Sequence, residues 1–160
     1  MDNQNVYINI LINTLAKKSA VLDDLIDITL LQESYLKEAP QNMDSFEETL
    51  DNKSELINNL DQLDDGFEAV YERVKEELKS KKDLFQNEVL KLQELIRQAT
   101  DKGVKLQALE QQNKLKMEAY FLTKKQEIKN FKKSSQTASN YYKSMIDRPQ
   151  GDSYFLDKKK

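Results

Sequence analysis

From Phe46 onward, hydrophobic side chains return at alternating four- and three-residue intervals, through Leu50, Ile57, Leu60, Phe67, Tyr71, Val74, Leu78, Phe85, Leu92, Leu95 and Ala99. Of the sixteen positions in this series twelve are apolar or aromatic, where the chain's average of 38% would give about six. A 3.5-residue period is the signature of a long helix that buries one narrow stripe, whereas a half-buried strand alternates with period two. The period fixes the class as all-α. Three Gly and two Pro in 160 residues leave few places for the turns of a β-fold. The phase also crosses Asp65-Gly66, so Gly66 reads as a tolerated glycine within the helix rather than a loop.

Ahead of this segment, Ile8, Leu11, Ile12, Leu15, Leu22, Leu25 and Ile26 recur at helical spacing, widened by Val21, Ile28, Leu31 and Tyr35. One helix from Asn5 to about Glu38 follows, with a face broad enough for two neighbours. Pro40 biases Ala39 away from helical backbone and marks a connection over Ala39–Met43. Asp44 and Glu47 have capping-box spacing and predict the next helix start. The polar Lys79–Lys82 run, followed by Asp83 and Gln86 as a second such pair, favours a turn there over a continuous helix to a break at Asp101–Gly103. A third helix with a sparser stripe continues to Lys133. Beyond it lie a Ser/Thr/Asn run, Pro149, Gly151 and three terminal lysines, the composition of a flexible tail. The expected architecture is an elongated antiparallel bundle of about three long helices over residues 1–133, with a flexible C-terminal tail over 134–160.

Charge divides the chain. Residues 1–78 carry 6 Lys+Arg and 18 Asp+Glu, a balance of −12, while residues 79–160 carry 19 and 10, a balance of +9, which together return the net −3. Opposite halves favour folding back on one another, more weakly as salt rises. With no His and no Cys, the usual imidazole base, thiolate nucleophile and soft metal ligands are missing. The three glycines are far apart, so no phosphate-binding loop forms. No catalytic residue, metal, cofactor or small-molecule substrate is expected. Asn9, Asn13 and Lys17-Lys18 interrupt the most apolar run before it could span a bilayer, and the N-terminus lacks the basic start and cleavage site of a secretory signal, which gives a cytoplasmic expectation. Lys124-Lys125 and Lys132-Lys133 could form basic patches for nucleic acid, but there are three Arg and no nucleic-acid signature.

The residues that stand out as partner-binding candidates are Tyr141, Tyr142, Met145 and Ile146, with Tyr154 and Phe155 further on. Rings with polar edges and a flexible thioether suit transient contacts. Equally, the same groups could cover one end of the bundle.

Several stretches resemble one family. The segment Glu47–Leu60 (EETLDNKSELINNL), then Leu63–Phe67 (LDDGF), Tyr71–Leu78 (YERVKEEL) and Leu109–Lys114 (LEQQNK) are similar to FlgN-type flagellar export chaperones, clostridial ones in particular. Where many members carry two close asparagines in the last helix, this chain has Asn113. The resemblance implies a chaperone that binds hook–filament junction proteins, keeps them unassembled and delivers them to the type III export gate. It also implies that a tyrosine-containing C-terminal region contacts that gate. A structural coiled-coil adaptor, another flagellar chaperone of similar shape and a nucleic-acid-associated helical protein are the alternatives.

Overall fold

The computed structural model describes residues 3–147 except 82, 121, 123 and 124. Four helices occupy them in order: α1 (Asn3–Lys37), α2 (Met43–Ser80), α3 (Gln86–Tyr120) and α4 (Lys125–Asp147). At 1.5 Å per residue the first three are each roughly 50–57 Å long. α1 packs against both α2 and α3, and α4 turns back along the C-terminal half of α3, meeting α2 near Asp64. The bundle therefore has a three-helix half and a four-helix half.

Each connection has a local cause. After α1 the chain turns through Glu38–Asn42, where Ala39–Pro40 is cis and Asn42 takes the left-handed conformation at φ 67°, a region asparagine tolerates better than most residues. Asn42 Nδ2 also donates to Glu38 Oε1 at 2.7 Å. α2 thus begins at Met43 with Asn42 at its cap position and no side-chain capping bond, rather than on an Asp44–Glu47 box. The favoured second turn is present: α2 stops at Ser80, and Leu84 N–H donates to Lys81 C=O at 3.0 Å. α3 starts at Gln86, three residues after Asp83.

Three apolar clusters lie along the axis. The first joins Ile8, Leu11 and Leu15 of α1 to Phe67, Tyr71, Val74 and Leu78 of α2 and to Phe85–Ile96. The second joins Leu22, Leu25, Leu60, Ala99 and Leu106 to four residues of α4. The third holds Leu36, Phe46 and Met117. The four-three series from Phe46 describes α2 well. It keeps its phase across the turn, since Phe85, Leu92, Leu95 and Ala99 are buried, and α3 adds a second buried row through Val89, Ile96, Gly103 and Glu110.

Besides the Asp44–Glu47 box, two expectations need correction. Among the described residues there are four helices rather than about three, since α3 ends at Tyr120 and α4 begins at Lys125; no glycine or proline marks that break, although Thr123 and Gln126 have capping-box spacing. Nor does Lys133 separate a bundle from a flexible tail: α4 runs unbroken through residues 134–147 and contributes Ala138, Tyr141, Tyr142 and Met145 to the second cluster. The physical reason lies in the spacing. Ile128, Phe131, Ser135, Ala138, Tyr142 and Met145 form a three-four series hidden by the polar residues between them. Residues 148–160 lie outside the described part.

Candidate partner-binding surface

α4 presents the sequence-derived candidates, and most are turned inward. Tyr142 and Met145 are buried, and Tyr141 is 9% exposed. Ile146 is half-buried beside Gly103. The rings of Tyr141 and Tyr142 meet edge-on with centroids 5.9 Å apart. Tyr154 and Phe155 fall outside the described residues. The helices approach closely where Met145 crosses Gly103: a Cβ at that glycine would overlap Met145 Cε. Lys132 Nζ pairs with Glu118 Oε2 at 3.1 Å further along the same seam.

The α4 seat is not uniformly apolar. Tyr141 Oη donates to Asp64 Oδ2 at 2.7 Å, and Lys18 Nζ donates to Asp64 Oδ1 at 2.7 Å, so one buried carboxylate ties α1, α2 and α4 together. Tyr142 Oη and Ser135 Oγ, by contrast, are buried without a hydrogen-bond partner among the described residues. Burial pushes the Tyr142 phenol well above its ordinary range. An unpaired buried hydroxyl costs about 1–3 kcal/mol, so the contact between α4 and the bundle carries an internal penalty that its aromatic packing has to outweigh.

A second polar layer separates the second and third clusters. Lys53 of α2 pairs with Glu110 of α3 and donates from Nζ to Gln32 Oε1 at 2.8 Å; Gln32 Nε2 donates to Thr49 Oγ1 at 2.9 Å. Asn113 Nδ2 donates to Thr29 C=O at 3.0 Å. Burial pulls the Lys53 ammonium down to about 7, against the opposing attraction of the Glu110 carboxylate in contact with it. Sequence reading missed these groups. Their signal was present, since Lys53 and Asp64 are two of the four polar positions in the Phe46–Ala99 series, and both prove to be buried ion-pair members.

Buried charges and close helix packing are properties that many bundles share, so lineage has to come from comparison. A family model described as "FlgN protein" matches residues 1–145, which takes in α1, α2, α3 and nearly all of α4. The chain belongs to the FlgN family. FlgN proteins are flagellar export chaperones, and the all-helical bundle is the fold on which this member works. No characterised protein and no solved structure matches the chain significantly. Among the described residues no helix is long and apolar enough to cross a membrane.

Proposed function

We propose that this FlgN-family chain acts in the cytoplasm, binds hook–filament junction proteins before they assemble and brings them to the type III export gate. The observation that carries this reading is the family match across 145 residues and all four helices. Filament subunits expose amphipathic helical ends, and helix-in-groove recognition is what a slender bundle can offer them.

The partner-binding role of Tyr141, Tyr142, Met145 and Ile146, extended by Tyr154 and Phe155, belongs to the same proposal. In this reading α4 lifts from α3 to present its aromatic face. Two features support it: hydrating Tyr142 Oη and Ser135 Oγ relieves their unpaired burial, and among the described residues the first apolar cluster contains none from α4, so three helices keep a core when α4 leaves.

The test is calorimetric titration of the purified chain with purified junction proteins of the same organism, repeated with the chain truncated after Lys133. Expected are a defined complex with the full chain and weakened binding together with a lowered melting temperature for the truncation. Failure of every junction protein to bind the full chain overturns the proposal. Undiminished binding by the truncation overturns the role of α4.

A further inference from the structure

The two described glycines sit in helix interiors and differ in their surroundings. Gly103 is explained by the fold, because α4 crosses it too closely for a Cβ. Gly66 is exposed, and a Cβ there would meet nothing within 4 Å among the described residues. A glycine weakens the middle of a helix relative to alanine. At Gly66 nothing packed among the described residues accounts for that weakening.

A groove adjoins it. Lys17, Ala20 and Val21 of α1 and Asn59, Gln62 and Leu63 of α2 line an open cavity of about 460 Å³. Val21 and Leu63 are half-buried and give it an apolar floor. Gly66 follows Asn59 by one heptad and Gln62 by one turn, so it continues the α2 wall. On α1 the row of Lys17 continues to Ile10 and Leu31, 40% and 43% exposed. Lys17 places one cation in the lining, while the rim is acidic at the end away from Gly66: exposed Asp24 and Asp27 lie one heptad after Lys17 and Ala20, and exposed Glu55 lies one heptad before Gln62.

We propose that the groove between α1 and α2 binds an amphipathic helix of the exported client, with closest approach at Gly66 and Lys or Arg side chains on the flanks of that helix. The occupant follows from three observations. Gly103 shows that this bundle uses a helical glycine where another helix crosses closely; the floor is aliphatic; and the acidic rim selects a basic flank. The identity of the occupant as a client rests on the function proposed above. The groove lies on the opposite flank of α2 from Tyr141, so the two contacts do not compete for one surface.

Gly66→Trp tests the groove directly, because the new side chain enters open space and does not displace core residues. Titration with a purified junction protein should show at least a tenfold loss of affinity, with the melting temperature unchanged or raised. Asp24→Lys combined with Glu55→Lys should weaken binding at least threefold at low salt, with the difference shrinking as salt is added. Wild-type binding that Gly66→Trp leaves within twofold overturns this inference alone. Equal or tighter binding by the charge-reversed variant overturns the basic occupant. If no junction protein binds the wild-type chain, the functional reading falls and the client helix falls with it.

Discussion

The half of the bundle near the α2–α3 turn and the half that carries α4 are built from the same helices but on different terms. Near the turn, three helices close on Ile8, Leu11, Leu15, Phe67, Val74 and Leu92, an apolar and aromatic cluster. In the other half a fourth helix is added, and the apolar clusters are bounded by Lys18–Asp64 and Lys53–Glu110, with Tyr142 and Ser135 hydroxyls buried unpaired. Apolar burial rewards any compact arrangement, whereas buried polar groups reward one arrangement and penalise its neighbours. The first half is accordingly the anchor of stability; in the second, the ion pairs hold the helices in one alignment, while the Tyr142 and Ser135 hydroxyls lower the cost of lifting α4.

This contrast can be broken by mutation. Phe67→Ala in the apolar half should lower stability by about 3–5 kcal/mol, the usual cost of emptying a buried aromatic site, as a shift in the urea midpoint. A midpoint that does not move would mean that the first cluster is not the anchor. In the polar half the size of the effect should depend on what is left behind. Lys53→Met alone strands Glu110 and should cost about 3–5 kcal/mol, while Lys53→Met with Glu110→Leu should recover most of it. Additive losses in that double-mutant cycle would show that the pair is not coupled.

Smaller effects sharpen the comparison. Tyr141→Phe removes a hydrogen bond to the Asp64 carboxylate while keeping the ring, and should cost about 1.5–3 kcal/mol. Hydrogen exchange should place that loss in α4 first, and uniform acceleration in all four helices would contradict the division into halves. The pH response is subtler. Lys53 is held down to about 7 in the fold, while an unfolded chain keeps lysine protonated to about 10.4. Between those values the unfolded state binds more protons, so this group makes stability rise with pH across the window, and below about 7 its penalty is fully present. Denaturation from pH 6 to 10 should show a steeper rise in the wild type than in the Lys53→Met/Glu110→Leu variant. Parallel curves would remove Lys53 as the cause.

Much of the fold was legible from spacing alone. The bounds of α1, the connection at Pro40, the passage of α2 through Gly66 and the turn after Ser80 all follow from period and breakers. Two things were not legible for physical reasons. The α3–α4 break has no glycine or proline and only the Thr123–Gln126 capping-box spacing to mark it, and α4's stripe is diluted by Ser135 and by Ser, Thr and Asn on its outer face, so composition resembled a tail while spacing spelled a helix. Of the two environments the sequence left open for Tyr141, Tyr142 and Met145, partner contact or cover for the bundle, the structure shows the second, with all three in the core. Asp64 and Lys53 looked like lapses in a hydrophobic series because their partners, Lys18 and Glu110, are 46 and 57 positions away and no local pattern links them.

Those two ion pairs have a further consequence for how the helices find their alignment. Long helices packed through repeating apolar stripes can slide, since a shift of one heptad, about 10.5 Å, brings leucine opposite leucine again. Sliding α2 by that step along its neighbours would carry Lys53 toward the place of Leu60, within the second apolar cluster, and leave Glu110 facing a hydrocarbon wall. Lys18 would lose Asp64 in the same movement. The charged layers work as two locating pins at different heights, and a chain that satisfies both has a single way to be assembled.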